Sequence, residues 1–197
     1  MINDYIRQFN FLFPELKDQM PWNIVGGIEQ LVTKKIEALN GDYMIENNVA
    51  IHKTARIEQH VVLKGPIIVS ANCFIGAHAY LRGGVFLGEK TSIGPGCEVK
   101  SSLLFGCALA HFNFVGDSIL GEGVNMEAGS IIANHFNERS DKSIYVRIKG
   151  GRILTGVTKF GALVGDQTKI GANAVLSPGT ILEANSAIKR LELVDQS

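Results

Sequence analysis

From Ile45 to Val99 every sixth residue is aliphatic: Ile45, Ile51, Ile57, Leu63, Val69, Ile75, Leu81, Leu87, Ile93 and Val99. Four places after each stands a side chain that is small or β-branched until the last, namely Val49, Ala55, Val61, Ile67, Cys73, Ala79, Val85, Thr91, Cys97 and Leu103. One place after each the residue is mostly small or polar, as at Ser70, Gly76, Arg82, Gly88, Gly94 and Lys100. A period of six suits neither a helix of 3.6 residues per turn nor an ordinary alternating strand. It suits a parallel β-helix, whose turns of three short strands stack at the inter-strand spacing of about 4.8 Å. The aliphatic side chain then fills the interior, the small one fits a corner, and glycine turns the chain. The predicted fold class is mainly β, a parallel β-helix built on six-residue repeats.

Residues 1–44 lack this pattern. Between Asn23 and Leu39 the apolar residues Ile24, Ile28, Leu31, Val32, Ile36 and Leu39 recur at helical spacing, with Pro21 upstream and Asn40-Gly41 as a stop. Gly26 and Gly27 weaken the first turn of that helix. An earlier short helix is expected from about Asp4 to Asn10, ending before Phe13-Pro14. An open first coil exposes an unpaired edge, so 1–44 is expected to form a helical cap over it, with Leu12, Phe13 and Trp22 packed on that end. The β-helix domain is then 45–197.

Past Val99 the rhythm slips. The next series is Phe114, Leu120, Met126, Ile132, and the distance from Val99 to Phe114 is not a multiple of six. The rhythm is lost again after Ile132 and returns at Val164, Ile170, Leu176, Leu182 and Ile188. The intervening stretch is too long and too polar for one coil. Its runs Ser143–Ile148 and Arg152–Thr155 flank Lys149-Gly150-Gly151, which predicts a projecting hairpin within an insertion at about 135–160. Function concentrates where a regular repeat is interrupted, so 100–114 and 133–163 are the segments of interest.

Composition narrows the possibilities. Acidic and basic residues balance at 19 each in 197 residues, and no basic stripe follows a phosphate backbone, so nucleic acid is not an expected partner. The start MINDYIRQFNFLF carries Asp4 and lacks a basic region followed by an apolar one, and no apolar run is long enough to cross a membrane. A cytoplasmic, soluble protein without a membrane partner is expected. The cysteines lack metal-ligand spacing, and Cys73 and Cys97 fall on small core positions, so buried inert thiols are expected.

The segment His111 to His135, HFNFVGDSILGEGVNMEAGSIIANH, carries a family pattern. That pattern is a His, an aromatic and Gly-Asp, followed by Gly, Val-Asn, Ala-Gly-Ser/Thr-Ile and Asn at set spacing. It is matched at His111, Phe114, Gly116-Asp117, Gly121, Val124-Asn125, Ala128-Gly129-Ser130-Ile131 and Asn134. The chain resembles the acetyltransferase half of the bifunctional N-acetylglucosamine-1-phosphate uridylyltransferase/glucosamine-1-phosphate acetyltransferase family. The hairpin and the following KFGALVGD look like the archaeal-type variants. The similarity runs from about Ile45 to Ile188.

The resemblance implies a left-handed β-helix, a homotrimer with sites in clefts between subunits, and acetyl-CoA as co-substrate without a catalytic metal. His111 matches the general base that takes a proton from the sugar amine as it attacks the thioester; imidazole has a pKa suited to that task. Arg82, Lys100, Asn125 and Lys159 match residues that bind the sugar phosphate, where a guanidinium and ammonium groups suit a dianion. Ala128 and Asn134 match positions facing the cofactor, and Lys189 and Arg190 are candidates for the CoA phosphates. The expected reaction is acetyl transfer to a phosphorylated or nucleotide-linked (amino) sugar. The uridylyltransferase half is not expected in this sequence, since the 44 residues before the first coil hold no glycine-rich nucleotide loop.

This chain departs from the family at Phe114, where Tyr is usual, at Glu127, where Gly is usual, and at His135, where Tyr is usual. Phe114 and Glu127 favour an alternative, a non-catalytic trimeric scaffold that partners a separate sugar nucleotidyltransferase. A fatty-acyl transferase of the lipid A type is a further reading. Asn125 and Asn134 are also compatible with internal amide ladders. His60 and His78, one eighteen-residue turn apart, should stack on one face. The histidines lack the close pair of zinc-binding carbonic anhydrases of this shape, so no metal is expected.

Overall fold

A computed structural model describes residues 1–196. The chain winds into a three-sided parallel β-helix. One side stacks strands through Leu63, Leu81, Val99, Val115, Ile132, Leu176 and Val194. The second runs through Ile51, Val69, Leu87, Leu104, Leu120, Val164 and Leu182. The third runs through Ile57, Ile75, Ile93, Leu109, Met126, Ile170 and Ile188. These aliphatics form one continuous interior with the small residues Cys73, Ala79, Val85 and Cys97 between them. Each side chain withdrawn from water contributes about 1.5–3 kcal/mol. Burial pushes the Cys73 thiol up to about 11 and raises those of Cys97 and Cys107 as well, which keeps them protonated.

Three positions differ from the six-residue expectation. Ile45 is 47% exposed because its strand, Tyr43–Glu46, folds back antiparallel on Val49–His52; the first coil therefore begins at Val49. Asn47 and Asn48, with φ of 49° and 59°, make the tight turn. Val115, not Phe114, occupies the interior, and Ser102 takes the inward place expected of Leu103. Phe114 and Leu103 point outward instead.

The helical segment also lies elsewhere than expected. It forms α1 (Phe9–Leu12), α2 (Pro21–Gly26) and α3 (Ile28–Glu37), with a 3-10 turn at Ile2–Asp4. The Asn23–Leu39 helix is thus broken at Gly27, whose φ of −105° and ψ of 14° depart from helical geometry. These elements do not cap the first coil; the Tyr43–Glu46 hairpin strand covers one of its three strands, Val49–His52. They pack along the second side, whose outward row is Ala50, Ile68, Phe86, Leu103, Ile119, Leu163 and Ile181. Phe13 meets Phe86 edge-on at 5.2 Å and Phe105 at 5.7 Å, and Trp22 meets Phe160 at 5.9 Å. A sheet side that is apolar on both surfaces must be covered on both, and the helices supply the second cover.

The hairpin forms as expected, Tyr145–Ile148 against Gly151–Leu154, turning at Lys149 and Gly150 with φ of 49° and 80°. Ile144 and Val146 are buried against the flank, while Gly151–Leu154 is exposed. The insertion that carries it leaves the coil after Ala133 and rejoins at Ala162.

Candidate active site

The irregularities of the coil converge at the corner between its first and second sides. In one turn two residues, Gly83-Gly84, make that corner between Arg82 and Val85, and opposite them the next turn has Ser101 alone. Leu81 pairs with Val99, Leu87 with Leu104 and Val99 with Val115, so the turn shortens from eighteen residues to seventeen and then sixteen. Asp117 is again a single corner residue, between Gly116 and Ser118. Ser101 and Asp117 both adopt φ of 47°, a left-handed conformation that Ser rarely accepts and Asp tolerates better. The insertion leaves the coil at this same corner. The distortion expected in 100–114 is there, one residue lost at Ser101 and one at the corner Phe105-Gly106-Cys107, and a third is lost beyond that segment at Asp117.

Asp117 is the hub. Its carboxylate accepts from Lys100 Nζ at 2.7 Å and from Asn134 Nδ2, and its carbonyl accepts from Gly161 N–H at 2.9 Å. The side chains of Lys100 and Asp117 are only 18% and 9% exposed. Asn134 is buried, its Oδ1 lies 3.1 Å from His135 Nδ1, and its carbonyl accepts from Phe160 N–H at 2.9 Å. Lys159 is exposed at the edge of a cavity of about 520 Å³ lined also by Glu29, Gly83, Ser101, Asp117 and Thr158. The α2–α3 junction forms the opposite wall. A Cβ on Gly84 would stand 2.8 Å from Ile28 Cγ2 and 3.0 Å from Glu29 N, so the junction presses on the corner.

The expected site residues divide into groups. Arg82, Lys100, Asn134 and Lys159 lie at this corner or beside it. Arg82 stacks on Lys100 in register, and its guanidinium donates to Glu98 at 2.6 and 2.9 Å. Two of the expected phosphate cations are thus already paired with carboxylates, whereas Lys159 has no ion pair among the described residues. Asn134, expected to face the cofactor, is committed to Asp117 and His135, and it forms no amide ladder.

His111 and Ala128 sit together at another corner, where Gly129 N–H donates to the His111 carbonyl at 3.0 Å. The His111 ring is exposed and has no hydrogen bond among the described residues; it meets Phe112, itself 70% exposed, edge-on at 6.0 Å. Asn125 lies on the third side, in register with Lys169. These two share a cavity of about 460 Å³ with Glu127, Lys189 and Arg190. Glu127 is held by Arg190 through two hydrogen bonds of 2.8 Å and accepts from Ala172 N–H at 2.9 Å, which lowers its pKa. The same pairing raises the pKa of Arg190. His60 and His78 stack as expected, 5.2 Å apart and nearly parallel.

Sequence reasoning missed the hub role of Asp117, although Gly116-Asp117 belongs to the matched pattern. It also missed Lys169, which meets Asn125 only across the insertion and so outside any regular spacing. The Glu29 wall had a signal: Ala50, Ile68 and Phe86 recur every eighteen residues on the outward side and mark a flank that must be covered.

Comparison with known proteins places this coil. The profile described as the hexapeptide repeat of succinyl-transferase matches residues 66–100 and 161–189. A bifunctional sugar-1-phosphate nucleotidylyltransferase/acetyltransferase from Sulfurisphaera tokodaii is 34% identical over 175 residues, covering 85% of this chain and 43% of that protein. The bifunctional protein GlmU of Methanococcus vannielii is 34% identical over 184 residues, 89% of this chain and 43% of that protein. A hexapeptide transferase family protein from Anaplasma phagocytophilum superposes with a TM-score of 0.41 at 19% identity, over 74% of this chain and 72% of that one. The chain spans less than half the length of the two bifunctional relatives. The chain thus carries the hexapeptide repeat over those residues and is similar to a part of the bifunctional nucleotidylyltransferase/acetyltransferases.

Proposed function

We propose that the protein transfers an acetyl group from acetyl-CoA to a phosphorylated or nucleotide-linked amino sugar. The observation that carries this reading is the corner around Asp117. There the exposed, unpaired Lys159 borders a cavity of about 520 Å³, within the range of small-molecule sites. An ammonium at the rim suits a phosphate, and the carboxylates and hydroxyl of Glu29, Asp117 and Ser101 suit sugar hydroxyls. Kinship with proteins described as sugar-1-phosphate nucleotidylyltransferase/acetyltransferases supports the same substrate class.

In this reading His111 is the proton acceptor. Its exposed ring takes a proton from the amine as the nitrogen attacks the thioester carbonyl; the C–S bond then breaks and CoA leaves as the thiol. Arg82, Lys100 and Asn125 complete recognition of the sugar phosphate. A phosphate at the first two competes with Glu98 and Asp117 for donors already in use, so Lys159 carries more of the charge than either. The cofactor lies along the Ala128 side, with its phosphates near Lys169 and Lys189. Neither lysine is ion-paired among the described residues, whereas Arg190 is tied to Glu127. Because His111 and Lys159 occupy different corners of one chain, the reading requires a homotrimer in which neighbouring subunits complete each site.

The test is release of CoA thiol from acetyl-CoA in the presence of hexosamine 1-phosphates. Release should require the amino sugar, and His111→Ala should lower kcat by at least a hundredfold without changing the oligomer. An unchanged rate removes His111 from the reaction. The second reading, a scaffold for a separate nucleotidyltransferase, is favoured by the carboxylates already holding Arg82 and Lys100. No thiol release with any acceptor, together with no heat on adding millimolar acetyl-CoA, would support it.

A further inference from the structure

The polar chain at the irregular corner ends on an imidazole whose protonation pattern is dictated by its neighbours. Asp117, as a carboxylate paired with Lys100, only accepts hydrogen bonds, so the Asn134 atom facing it is the Nδ2 donor. That orientation points Asn134 Oδ1 at His135 Nδ1, 3.1 Å away. An amide oxygen has no proton to give, so the proton of this bond belongs to Nδ1. In the neutral ring Nε2 is then left with a free lone pair. His135 is exposed, and its Nε2 has no hydrogen-bond partner among the described residues. The Phe160 N–H bond to the Asn134 carbonyl ties the backbone next to Lys159 to the backbone next to His135, so both side chains leave the same joint of the insertion.

We propose that His135 is an acceptor-binding residue: its Nε2 accepts a hydrogen bond from a hydroxyl of the sugar whose anionic group is held by Lys159. The inference rests on the reading of the acceptor as a phosphosugar, and it gives the site a preference. The Nε2 lone pair of the neutral ring favours a substrate that donates at that position and discriminates against a deoxy analogue, because a nitrogen covered by the bound sugar would be left unpaired. The role differs from that of His111, whose ring has no hydrogen bond among the described residues.

The tautomer is read directly by nuclear magnetic resonance of the full chain with ¹⁵N-labelled histidine, before and after addition of glucosamine 1-phosphate. The expected spectrum shows His135 with Nδ1 protonated and Nε2 bare, and the Nε2 signal moving as the sugar binds. A ring protonated at Nε2, or an Nε2 signal indifferent to saturating sugar phosphate, overturns the proposal. Kinetics supply the second readout. His135→Ala should raise the acceptor KM about tenfold and leave the acetyl-CoA KM unchanged, with partial rescue in His135→Gln, whose amide oxygen reaches toward the Nε2 position. Equal changes in both KM values, or none in either, also overturn it. A wild-type chain that shows the Nε2 response but transfers no acetyl group would retain this site and lose the proposed reaction, so the two failures are separable.

Discussion

Two corners of the same coil behave in opposite ways. The corner between the third and first sides repeats steadily: His60, His78, Gly96, Phe112, Gly129, Asn173 and Leu191 follow one another, each with positive φ. It displays side chains to solvent, as in the exposed His60–His78 stack. The corner between the first and second sides does not keep count. Gly83-Gly84 gives way to Ser101 and then Asp117, and after them to the long insertion. Losing a residue from a corner replaces glycine with side chains that hydrogen-bond, and the returning insertion covers them. The regular corner is therefore a surface. The irregular one is a buried polar network with a cavity beside it.

The comparison breaks first at Asp117. Asp117→Ala strands the nearly buried Lys100 ammonium and should cost about 3 kcal/mol in denaturant unfolding. A cost below about 0.5 kcal/mol would make this corner no different from an ordinary surface turn. Next comes Lys159→Ala, which removes an exposed side chain and should leave stability unchanged while raising the acceptor KM at least tenfold. A loss of stability without a change in KM would reduce Lys159 to a structural role.

Smaller still is the effect of acid on the C-terminal end. Glu127 has a folded pKa below its unfolded value, because Arg190 and the Ala172 N–H favour the charged form. Its stabilising contribution is complete above the unfolded pKa and is lost as pH falls through the folded one. Glu127→Gln should flatten the acid limb of the melting profile, and an identical limb in variant and wild type would contradict the pairing. At the bottom of the scale, His60→Ala and His78→Ala should each change stability by no more than about 0.5 kcal/mol and leave transfer unchanged, as measured by melting and thiol release.

Most of the coil could be read before the structure because one physical constraint, a narrow apolar interior, imposes its period on every turn. Leu81, Leu87, Ile93 and Val99 obey it, and so do Val164, Ile170 and Leu176 beyond the insertion. Phe114 misled for the same reason. Once two steps had shortened to five, the interior position moved to Val115, and a fixed period could not follow. The helices were placed on the wrong surface because an amphipathic helix reports that it must be covered, not by what. The outward row Ile68, Phe86 and Leu103 held that answer. His111, Lys100 and Lys159 were legible as members of a pattern. Their partners were not, since the Lys100–Asp117 pair and the Asn134–His135 contact depend on side-chain direction at a corner whose residue count had changed.

The most direct test is a crystal soaked with acetyl-CoA and glucosamine 1-phosphate. The account predicts the sugar phosphate at the irregular corner, with its phosphate on Lys159 and a hydroxyl facing His135. Sugar phosphate bound instead along the regular corner, on the His60–His78 stack, would contradict it.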